Sequence, residues 1–380
     1  MDTPFIYGRI ATGENFTDRE QETRLLLQNF SGLINTIIIS PRRWGKTSLV
    51  KKALQVLHEK ESGYITCSVD IFNCRTEEQF YTAYANAVLK ASTSAWDEFV
   101  NGVKKYLGRM APQISLSDGS QAYSLSFGID FKDERFSMDE VLELPQKIAE
   151  DTGKRVIVCI DEFQNINSYT NPLAFQQKLR SHWQQHTSVS YCLYGSKRHM
   201  LLDIFSNYNS PFYKFGDILF LQKIKREDWV RFISEKFAQT GKRIDKTLCG
   251  EIADKMKNHP YYTQQYSQQV WLRTRTVCDA DILEKAFEGL IDQLSLLFAN
   301  IIDTLTARQI NFLLAVANGE SGLSSKEILK RYDLGTSANI RNLKKATLEK
   351  DLIDILPNER IELQDPVFEY WLKHIYTGKH

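Results

Sequence analysis

The sequence predicts a parallel α/β sheet that is followed by an all-helical unit and a winged helix. Three observations lead to this prediction. Short apolar segments alternate with helical patterns up to residue 222, which is typical of a parallel sheet with right-handed crossovers. Strand patterns stop at Lys223, and helical patterns alone continue to residue 299. Residues 300–380 then show three helical patterns and a β-hairpin, the elements of a winged helix.

These changes predict three domains, over residues 1–222, 223–299 and 300–380. A chain of 380 residues is longer than one ordinary domain, so such a division is expected. An Asp118-Gly119 turn followed by alternating apolar residues from Tyr123 to Phe131 predicts a β-hairpin insertion over 112–131 in the first domain.

The composition describes a soluble globular protein. Hydrophobic residues make up 42% of the chain and charged residues 25%, and the net charge of +1 gives no global attraction to nucleic acid or to anionic membrane. The six cysteines lack paired C-x-x-C spacing, which favours reduced thiols over a disulfide frame or a zinc site. No signal-peptide pattern and no apolar run of about 18 residues is visible, so we expect a cytoplasmic protein without a membrane partner.

The segment after the first apolar run, 36–39, predicts a phosphate-binding loop. A strand, a tight turn with Gly-Lys-Thr and a helix over 49–57 are the context that such a loop requires. Backbone N–H groups and the helix N-terminus attract polyphosphate, Lys46 is expected to reach the β- and γ-phosphates, and the Thr47 hydroxyl is expected to ligate Mg²⁺. The predicted nucleotide-binding residues of the loop are Ser40, Pro41, Arg42, Arg43, Trp44, Gly45, Lys46, Thr47 and Ser48. Ser40 stands where the motif usually has its first glycine, so this loop should begin with an ordinary β-region residue.

An acidic pair follows the most apolar run. A second strand is predicted over 64–70 with a helix over 76–89, and then residues 155–160 form a continuous apolar run that ends in Asp161-Glu162. Parallel sheets bind ligands at the carboxyl ends of their strands. Asp161 is therefore predicted to hold the Mg²⁺ shell and Glu162 to polarise an attacking water. The alternative to a phosphate-binding loop is a Gly-Lys-Thr sequence that occurs at a helix start by chance. The acidic pair after an apolar strand makes this alternative less favoured.

A polar residue also follows the fourth predicted strand, 189–195. Ser196 can contact the γ-phosphate or the attacking water, or it can simply cap the next helix, and both interpretations stay open. Lys197 and Arg198 are candidate γ-phosphate sensors, although solvated charges are the favoured interpretation. A fifth strand is predicted over 217–221. The predicted catalytic residues are Lys46, Asp161, Glu162 and Ser196, and the predicted metal ligands are Thr47 and Asp161.

The two ends of the chain carry further signals. Thr17 and Glu20 fit a capping box before a helix over 23–30. In the winged helix, residues 321–350 have a net charge of +4 whereas residues 351–380 have −3. Arg341, Lys344 and Lys345 can contact phosphates and Asn339 and Asn342 can reach base edges, but a wing with Glu359 and Glu362 is poorly suited to DNA. DNA and a protein partner therefore both remain open for this domain.

Three stretches together resemble a known family: Asn15-Phe-Thr-Asp-Arg-Glu20, the loop from Ser40 to Ser48, and Val156-Ile-Val-Cys-Ile-Asp-Glu-Phe163. The chain resembles AAA+-related ATPases of the STAND class, especially the group abundant in archaea and Bacteroidetes. His259-Pro260 in the helical unit and Asp365-Pro366 in the winged helix fit the family layout. The resemblance implies a P-loop NTPase core with sheet order 5-1-4-3-2, a helical lid, and ATP with Mg²⁺ as cofactors. It also implies that Phe16 and Arg19 line the adenine side and that Pro260 contributes from the lid, although the family usually has glycine where Asp18 stands.

The function favoured by these features is a slowly hydrolysing ATPase switch that couples nucleotide state to domain movement. One alternative is a nucleotide-dependent DNA-binding or scaffold regulator with little turnover. A small-molecule kinase is disfavoured, because Glu162 suits water activation and the helical and winged regions have no role in a small kinase. Oligomerisation on nucleotide binding is compatible with the sequence. The sequence identifies no physiological signal and no arginine finger beyond the candidate Arg198.

Overall fold

The structure is a computed structural model, and it describes residues 3–11, 13, 16–93, 138–356 and 359–379. Five strands form one parallel sheet: β1 (Thr36–Ile39), β2 (Tyr64–Asp70), β3 (Arg155–Asp161), β4 (Val189–Gly195) and β5 (Asp217–Phe220). Their order is β2-β3-β4-β1-β5, which confirms the expected order 5-1-4-3-2. The predicted hairpin insertion at 112–131 lies outside the described residues.

The strands form where both faces of the sheet are covered. All seven residues of β4 are buried, and in β3 every residue from Val156 to Ile160 is buried, which explains the continuous apolar runs. The edge strand β5 is largely exposed. The register pairs Ile39 with Gly195 and Asp70 with Asp161, so the carboxyl ends of β1, β2, β3 and β4 form a common edge.

Helices connect these strands. They are α1 (Glu20–Ser31), α2 (Lys46–Lys60), α3 (Glu77–Ser92), α4 (Met138–Thr152), α5 (Pro172–Trp183) and α6 (Arg198–Phe205), with a short 3₁₀ helix at Phe163–Ser168. Trp183 stacks on Tyr191 with ring centroids 4.3 Å apart, and Phe163 packs edge-on to Phe212 at 5.4 Å. This aromatic core fixes the segment that directly follows β3.

From residue 223 onward, the described residues form helices and one hairpin, with an isolated β-bridge between Arg243 and Val277. Four helices come first, α7 (Arg226–Gln239), α8 (Lys246–Lys255), α9 (Pro260–Arg273) and α10 (Ala280–Asp303). The winged-helix elements follow as α11 (Ala307–Ala317), α12 (Lys326–Arg331), α13 (Ser337–Glu349), the antiparallel strands β6 (Ile353–Ile355) and β7 (Ile361–Leu363), and α14 (Pro366–Trp371).

Residue contacts divide the chain into two compact units. The sheet unit contains Arg19–Arg42 and Lys46–Gln222, and the C-terminal unit contains Lys223–His380 together with Met1–Asp18 and Arg43–Gly45. The N-terminal segment joins the C-terminal unit through Phe5, which is 1% exposed and packs against Phe232 and Phe237 with ring centroids 6.1 and 5.9 Å apart. The boundaries of the three predicted domains stay a prediction.

Three further sequence expectations meet the structure here. All six cysteines are buried and none of them forms a disulfide. Across the described parts of the chain, every helix is too short or too polar to cross a bilayer. The capping box predicted at Thr17 and Glu20 is wrong: α1 starts at Glu20 and is preceded by Arg19, which has a left-handed backbone (φ 75°) and makes no side-chain cap.

Candidate nucleotide-binding site

The β1–α2 loop, residues 40–45, contains two left-handed positions immediately before α2. Arg43 has φ 65° and Gly45 has φ 86°. A Cβ at Gly45 would meet open space, so glycine is favoured there by its backbone conformation. Ser40 has a negative φ, as expected for a residue that replaces the usual glycine. The loop therefore makes its tight turn close to its end, and this turn directs the first turn of α2 toward the carboxyl edge of the sheet.

Lys46 is held by the loop that precedes it. Its ammonium group donates to the carbonyl oxygens of Ser40 and Pro41 at 3.1 and 2.7 Å, and to the Ser40 hydroxyl at 3.2 Å. Lys46 is 6% exposed, and this burial lowers the pKa of the amine to about 8, while the nearby carboxylates of Glu162 and Asp161 raise it. The cation is thus positioned beside the loop, where a phosphate group can replace its present oxygen partners.

Thr47 and Asp161 meet at the end of β3. The Thr47 hydroxyl donates to Oδ2 of Asp161 at 2.8 Å. Burial raises the pKa of the Asp161 carboxyl to about 6, and the Thr47 hydrogen bond opposes this shift. The two predicted metal ligands are therefore adjacent. A hydroxyl and a carboxylate oxygen form the hard donor set that Mg²⁺ uses together with phosphate oxygens, so these residues fit that ion.

Glu162 lies beside Ser196 of the neighbouring strand end. Ser196 donates to Oε2 of Glu162 twice, from its hydroxyl at 2.9 Å and from its backbone N–H at 3.3 Å. The alternative interpretation of Ser196 as a helix cap is wrong, because the residue that precedes α6 is Lys197 and it makes no side-chain cap. Lys197 and Arg198 are half-buried.

The sequence interpretation missed Gln164. This residue is 1% exposed, and its side-chain N–H also donates to Oε2 of Glu162. Its position two residues after the Asp161-Glu162 pair was the only available signal, since an amide in a short 3₁₀ helix has no characteristic pattern. Lys46, Thr47, Asp161, Glu162, Gln164 and Ser196 all belong to the sheet unit.

The remaining predicted binding residues are distributed over both units. In the sheet unit, Pro41 and Ser48 are buried and Arg42 is exposed. Arg19 is 3% exposed and bonds Glu22 at 2.9 Å, while its second terminal nitrogen is buried without a partner in the described chain. Phe16 and Pro260 belong to the C-terminal unit, where Phe16 is half-buried and Pro260 is the buried first residue of α9.

The tip of the β1–α2 loop makes its contacts within the C-terminal unit. The Arg43 guanidinium lies over the Tyr261 ring at 4.6 Å and donates to the Tyr262 hydroxyl at 3.1 Å. Tyr262 in turn donates to Oδ2 of Asp365 at 2.6 Å. Asp365 also caps α14, because its Oδ1 accepts from the backbone N–H groups of Val367 and Phe368. Residues from three distant parts of the sequence thus belong to one hydrogen-bond network.

Comparisons with known proteins agree with this architecture. A model of a probable winged helix domain matches residues 296–374. A Walker-type ATPase of Pyrococcus abyssi is similar in structure with a TM-score of 0.67 and 17% sequence identity, over 97% of this chain and 99% of that chain. The ORC2 protein of Aeropyrum pernix, solved in ADPNP-ADP complexes, is similar with a TM-score of 0.56 and 14% identity over 99% of both chains. Among curated protein sequences, none matches this chain. The chain therefore shares the fold of these proteins: a parallel five-stranded α/β sheet followed by a helical region and a winged helix.

Proposed function

We propose that this protein is an ATP-binding and ATP-hydrolysing switch of the AAA+/STAND type, with Mg²⁺ as its metal. The observation that carries the proposal is the meeting of Lys46, Thr47, Asp161, Glu162 and Ser196 at the carboxyl edge of one parallel sheet. This set contains a cation that can bind phosphate, two oxygen ligands that can bind Mg²⁺ and a carboxylate that can accept a proton from water. The Mg²⁺ supplies charge neutralisation on the β- and γ-phosphates when it is bound.

Each residue has a role that follows from its chemistry. Lys46 exchanges its present oxygen partners for phosphate oxygens. Thr47 and Asp161 hold the metal. Glu162 accepts a proton from the attacking water, and Ser196 orients that water or the γ-phosphate. Phe16, Arg19 and Pro260 are proposed to form the adenine side of the site.

The switch is proposed to act through the hydrogen-bond network of Arg43, Tyr262 and Asp365. Arg43 belongs to the loop that would surround the phosphates, and Asp365 caps the closing helix of the winged helix. A bound polyphosphate would compete with Tyr262 for the Arg43 guanidinium, because a phosphate carries the opposite charge and can accept two parallel hydrogen bonds from a guanidinium, whereas the tyrosine hydroxyl is neutral and accepts one. Loss of this partner would be transmitted to Asp365 through the Tyr262 hydroxyl.

Two substitutions test the proposal. Lys46→Ala is expected to abolish Mg·ATP binding, measured by calorimetry, with the circular dichroism spectrum retained. Glu162→Gln is expected to bind Mg·ATP as the parent does and to release phosphate at least about tenfold more slowly, since a general base contributes roughly 10²–10⁴ in rate. Parent-like hydrolysis by Lys46→Ala would refute the nucleotide site, and parent-like hydrolysis by Glu162→Gln would move the base elsewhere.

A DNA-binding regulator with little turnover is the second candidate. The match of residues 296–374 to a winged helix domain and the +4 charge of residues 321–350 favour it. Phosphate release measured with and without duplex DNA separates the two candidates. Stimulation of an existing turnover favours the switch, whereas DNA binding without turnover favours the regulator.

A further inference from the structure

The segment that follows β3 contains a side-chain amide, Gln164, that has no role in the reaction proposed above. Gln164 belongs to the 3₁₀ helix Phe163–Ser168, and its neighbours on both sides are fixed. Phe163 is fully buried in the aromatic core, and Asn165 donates to the backbone oxygens of Ile71 and Phe72 at 3.3 and 3.2 Å. The Gln164 side chain is therefore held on a rigid support.

The space around this amide is closely fitted. Oε1 of Gln164 lies where a Cβ of residue 195 would be, only 1.8 Å from that position, so Gly195 leaves room for it. Oε1 is buried and has no hydrogen-bond partner in the described chain. A buried oxygen without a donor costs about 1–3 kcal/mol. Fold stability therefore does not explain this placement, whereas the bond from the amide nitrogen to Glu162 does.

The two oxygens of Glu162 have different surroundings. Oε2 accepts from the Gln164 amide, the Ser196 hydroxyl and the Ser196 backbone N–H. No residue in the described ranges donates to Oε1. The backbone of Glu162 is also unusual, since it is left-handed with φ 56°. Three donors on one oxygen fix the plane of the carboxylate and leave the other oxygen as its available acceptor.

We propose that Gln164 is a positioning residue: together with Ser196 it holds Oε2 of Glu162, so that Oε1 is the oxygen that receives the proton of the attacking water. The inference rests on the proposed hydrolysis. In that step the water oxygen forms a bond to the γ-phosphorus while the bond from this phosphorus to the β,γ-bridging oxygen breaks. The bridging oxygen leaves with the bonding electron pair as part of ADP, and the water proton passes to Oε1.

The first test separates positioning from binding. Gln164→Met has nearly the same length and lacks the donor, so it removes one of the two residues that hold Oε2 of Glu162 and leaves the bonds from Ser196 in place. We expect kcat to fall about tenfold, because misplaced catalytic groups lose one to two orders of magnitude in rate, while the affinity for Mg·ATP stays within about twofold. Affinity for ADP with aluminium fluoride, which imitates the transferring phosphoryl group, should fall by a similar factor while ADP affinity stays unchanged. An unchanged kcat would overturn the proposal.

The second test asks whether Gln164 acts through Glu162. In a Glu162→Gln background, Gln164→Met should change the residual rate by less than about twofold, because the group that it positions is already absent. An equal loss of rate in both backgrounds would show a structural role and overturn the proposal. Gly195→Ala provides an independent variant, since its new Cβ must displace the Gln164 amide without removing it. We expect the same loss of kcat from this change.

A third measurement needs no nucleotide. The free energies of unfolding of Glu162→Leu, Gln164→Met and the double variant form a cycle in the nucleotide-free protein, since a leucine at position 162 has no acceptor for the Gln164 amide. We expect the two changes to be non-additive, because both remove the same hydrogen bond. Additive changes would overturn the positioning role even if the protein hydrolysed no ATP, in which case the proposed function alone would have failed.

Discussion

Ser40 gives Lys46 an acceptor that glycine cannot provide. The Ser40 hydroxyl lies 3.2 Å from the Lys46 ammonium, in addition to two backbone oxygens of the loop. A polyphosphate must displace these partners before it can bind the lysine. The serine therefore stabilises the nucleotide-free arrangement of the loop relative to the bound one.

Ser40→Ala tests this effect, since it removes the hydroxyl and keeps the backbone restricted. We expect the Kd for Mg·ATP to fall at least about tenfold, because one hydrogen bond to a charged group contributes about 1.5–3 kcal/mol. Calorimetric titration of both proteins measures the change. A weaker Kd in the variant would indicate that the hydroxyl binds the nucleotide itself.

His259 makes stability depend on pH. Burial, and to a smaller extent the cations Lys223 and Arg43, lower its pKa to about 3. The pKa in the unfolded chain is about 6.5, so the unfolded state binds the proton more readily and the free energy of unfolding must fall as pH drops below that value. Between pH 7 and 5 this one group removes about 2 kcal/mol.

The control is His259→Asn, which keeps a side-chain acceptor for the Tyr261 N–H at the start of α9. Urea unfolding at pH 7 and 5 should show a smaller loss of stability for the variant, by about 2 kcal/mol. Equal losses in the two proteins would show that His259 is protonated or solvated in the folded state.

Sequence patterns identified the residues whose chemistry depends on local spacing. Lys46 and Thr47 follow a strand and a tight turn, and Asp161 ends an apolar run, so their meeting at one edge follows from a parallel sheet. Gln164 was missed because its role depends on the rotation of a 3₁₀ helix after β3. The capping box predicted at α1 was wrong because Arg19, the residue before the helix, has a left-handed backbone and makes no side-chain cap.

At the scale of elements, the short helix α14 depends strongly on one carboxylate. Asp365 accepts from two backbone N–H groups of α14 and from the Tyr262 hydroxyl. Tyr262 is 4% exposed, and burial raises its pKa, so the hydroxyl stays a donor that needs this acceptor. Removal of the carboxylate affects both the helix cap and the buried hydroxyl.

Asp365→Ala should therefore destabilise the protein by about 2–4 kcal/mol, the sum of a lost cap and a buried hydroxyl without an acceptor. Asp279 provides a matched control, because it caps α10 through the Ile282 N–H and is exposed. Asp279→Ala should cost about 1 kcal/mol. Denaturant unfolding measures both, and equal costs would mean that the Tyr262 bond contributes nothing.

Turn and periodicity signals predicted the winged-helix elements, but they did not predict which hydrogen bonds individual polar residues make. Asn339 is one of two residues that could reach base edges if the domain binds DNA. In the structure its side-chain oxygen accepts from the Thr336 N–H and hydroxyl, at 3.0 and 2.6 Å, just before α13. A residue three positions into a helix can serve the cap or a ligand, and sequence spacing does not distinguish the two.

At the scale of the whole molecule, DNA binding is testable through its salt dependence. Arg341 and Lys345 are exposed on α13 and Lys344 is half-buried there. If these cations contact phosphates, replacing all three by alanine should reduce the slope of log affinity against log salt by about 2 to 3. Fluorescence anisotropy of a labelled duplex at several salt concentrations measures the slope.

The control removes three exposed cations outside the winged helix, namely Lys246, Arg273 and Arg275. It changes the net charge equally and should leave the slope within about one unit if binding is local. Equal effects of the two triple variants, or no binding at low salt, would favour a protein-facing winged helix.

The sheet order followed from the resemblance of three short stretches and not from strand patterns, since periodicity does not say which strands are neighbours. The sequence pattern also did not predict that the N-terminal segment packs in the C-terminal unit. The Ile6 N–H donates to the side-chain oxygen of Gln264, and the Gln268 amide donates to the Thr3 hydroxyl. Such pairings depend on the packed chain and leave no local pattern.

The place of Phe5 in the C-terminal core has a consequence for how the chain folds during synthesis. Its partner Phe232 lies 227 residues later (232 − 5), and Gln264, the hydrogen-bond partner of Ile6, is also synthesised much later than Ile6. At a synthesis rate of about 5–20 residues per second, the segment remains without its partners for roughly 10–50 seconds. The sheet unit, which ends at Gln222, is synthesised during that time, whereas an apolar segment near residue 5 is still exposed to water and to chaperones.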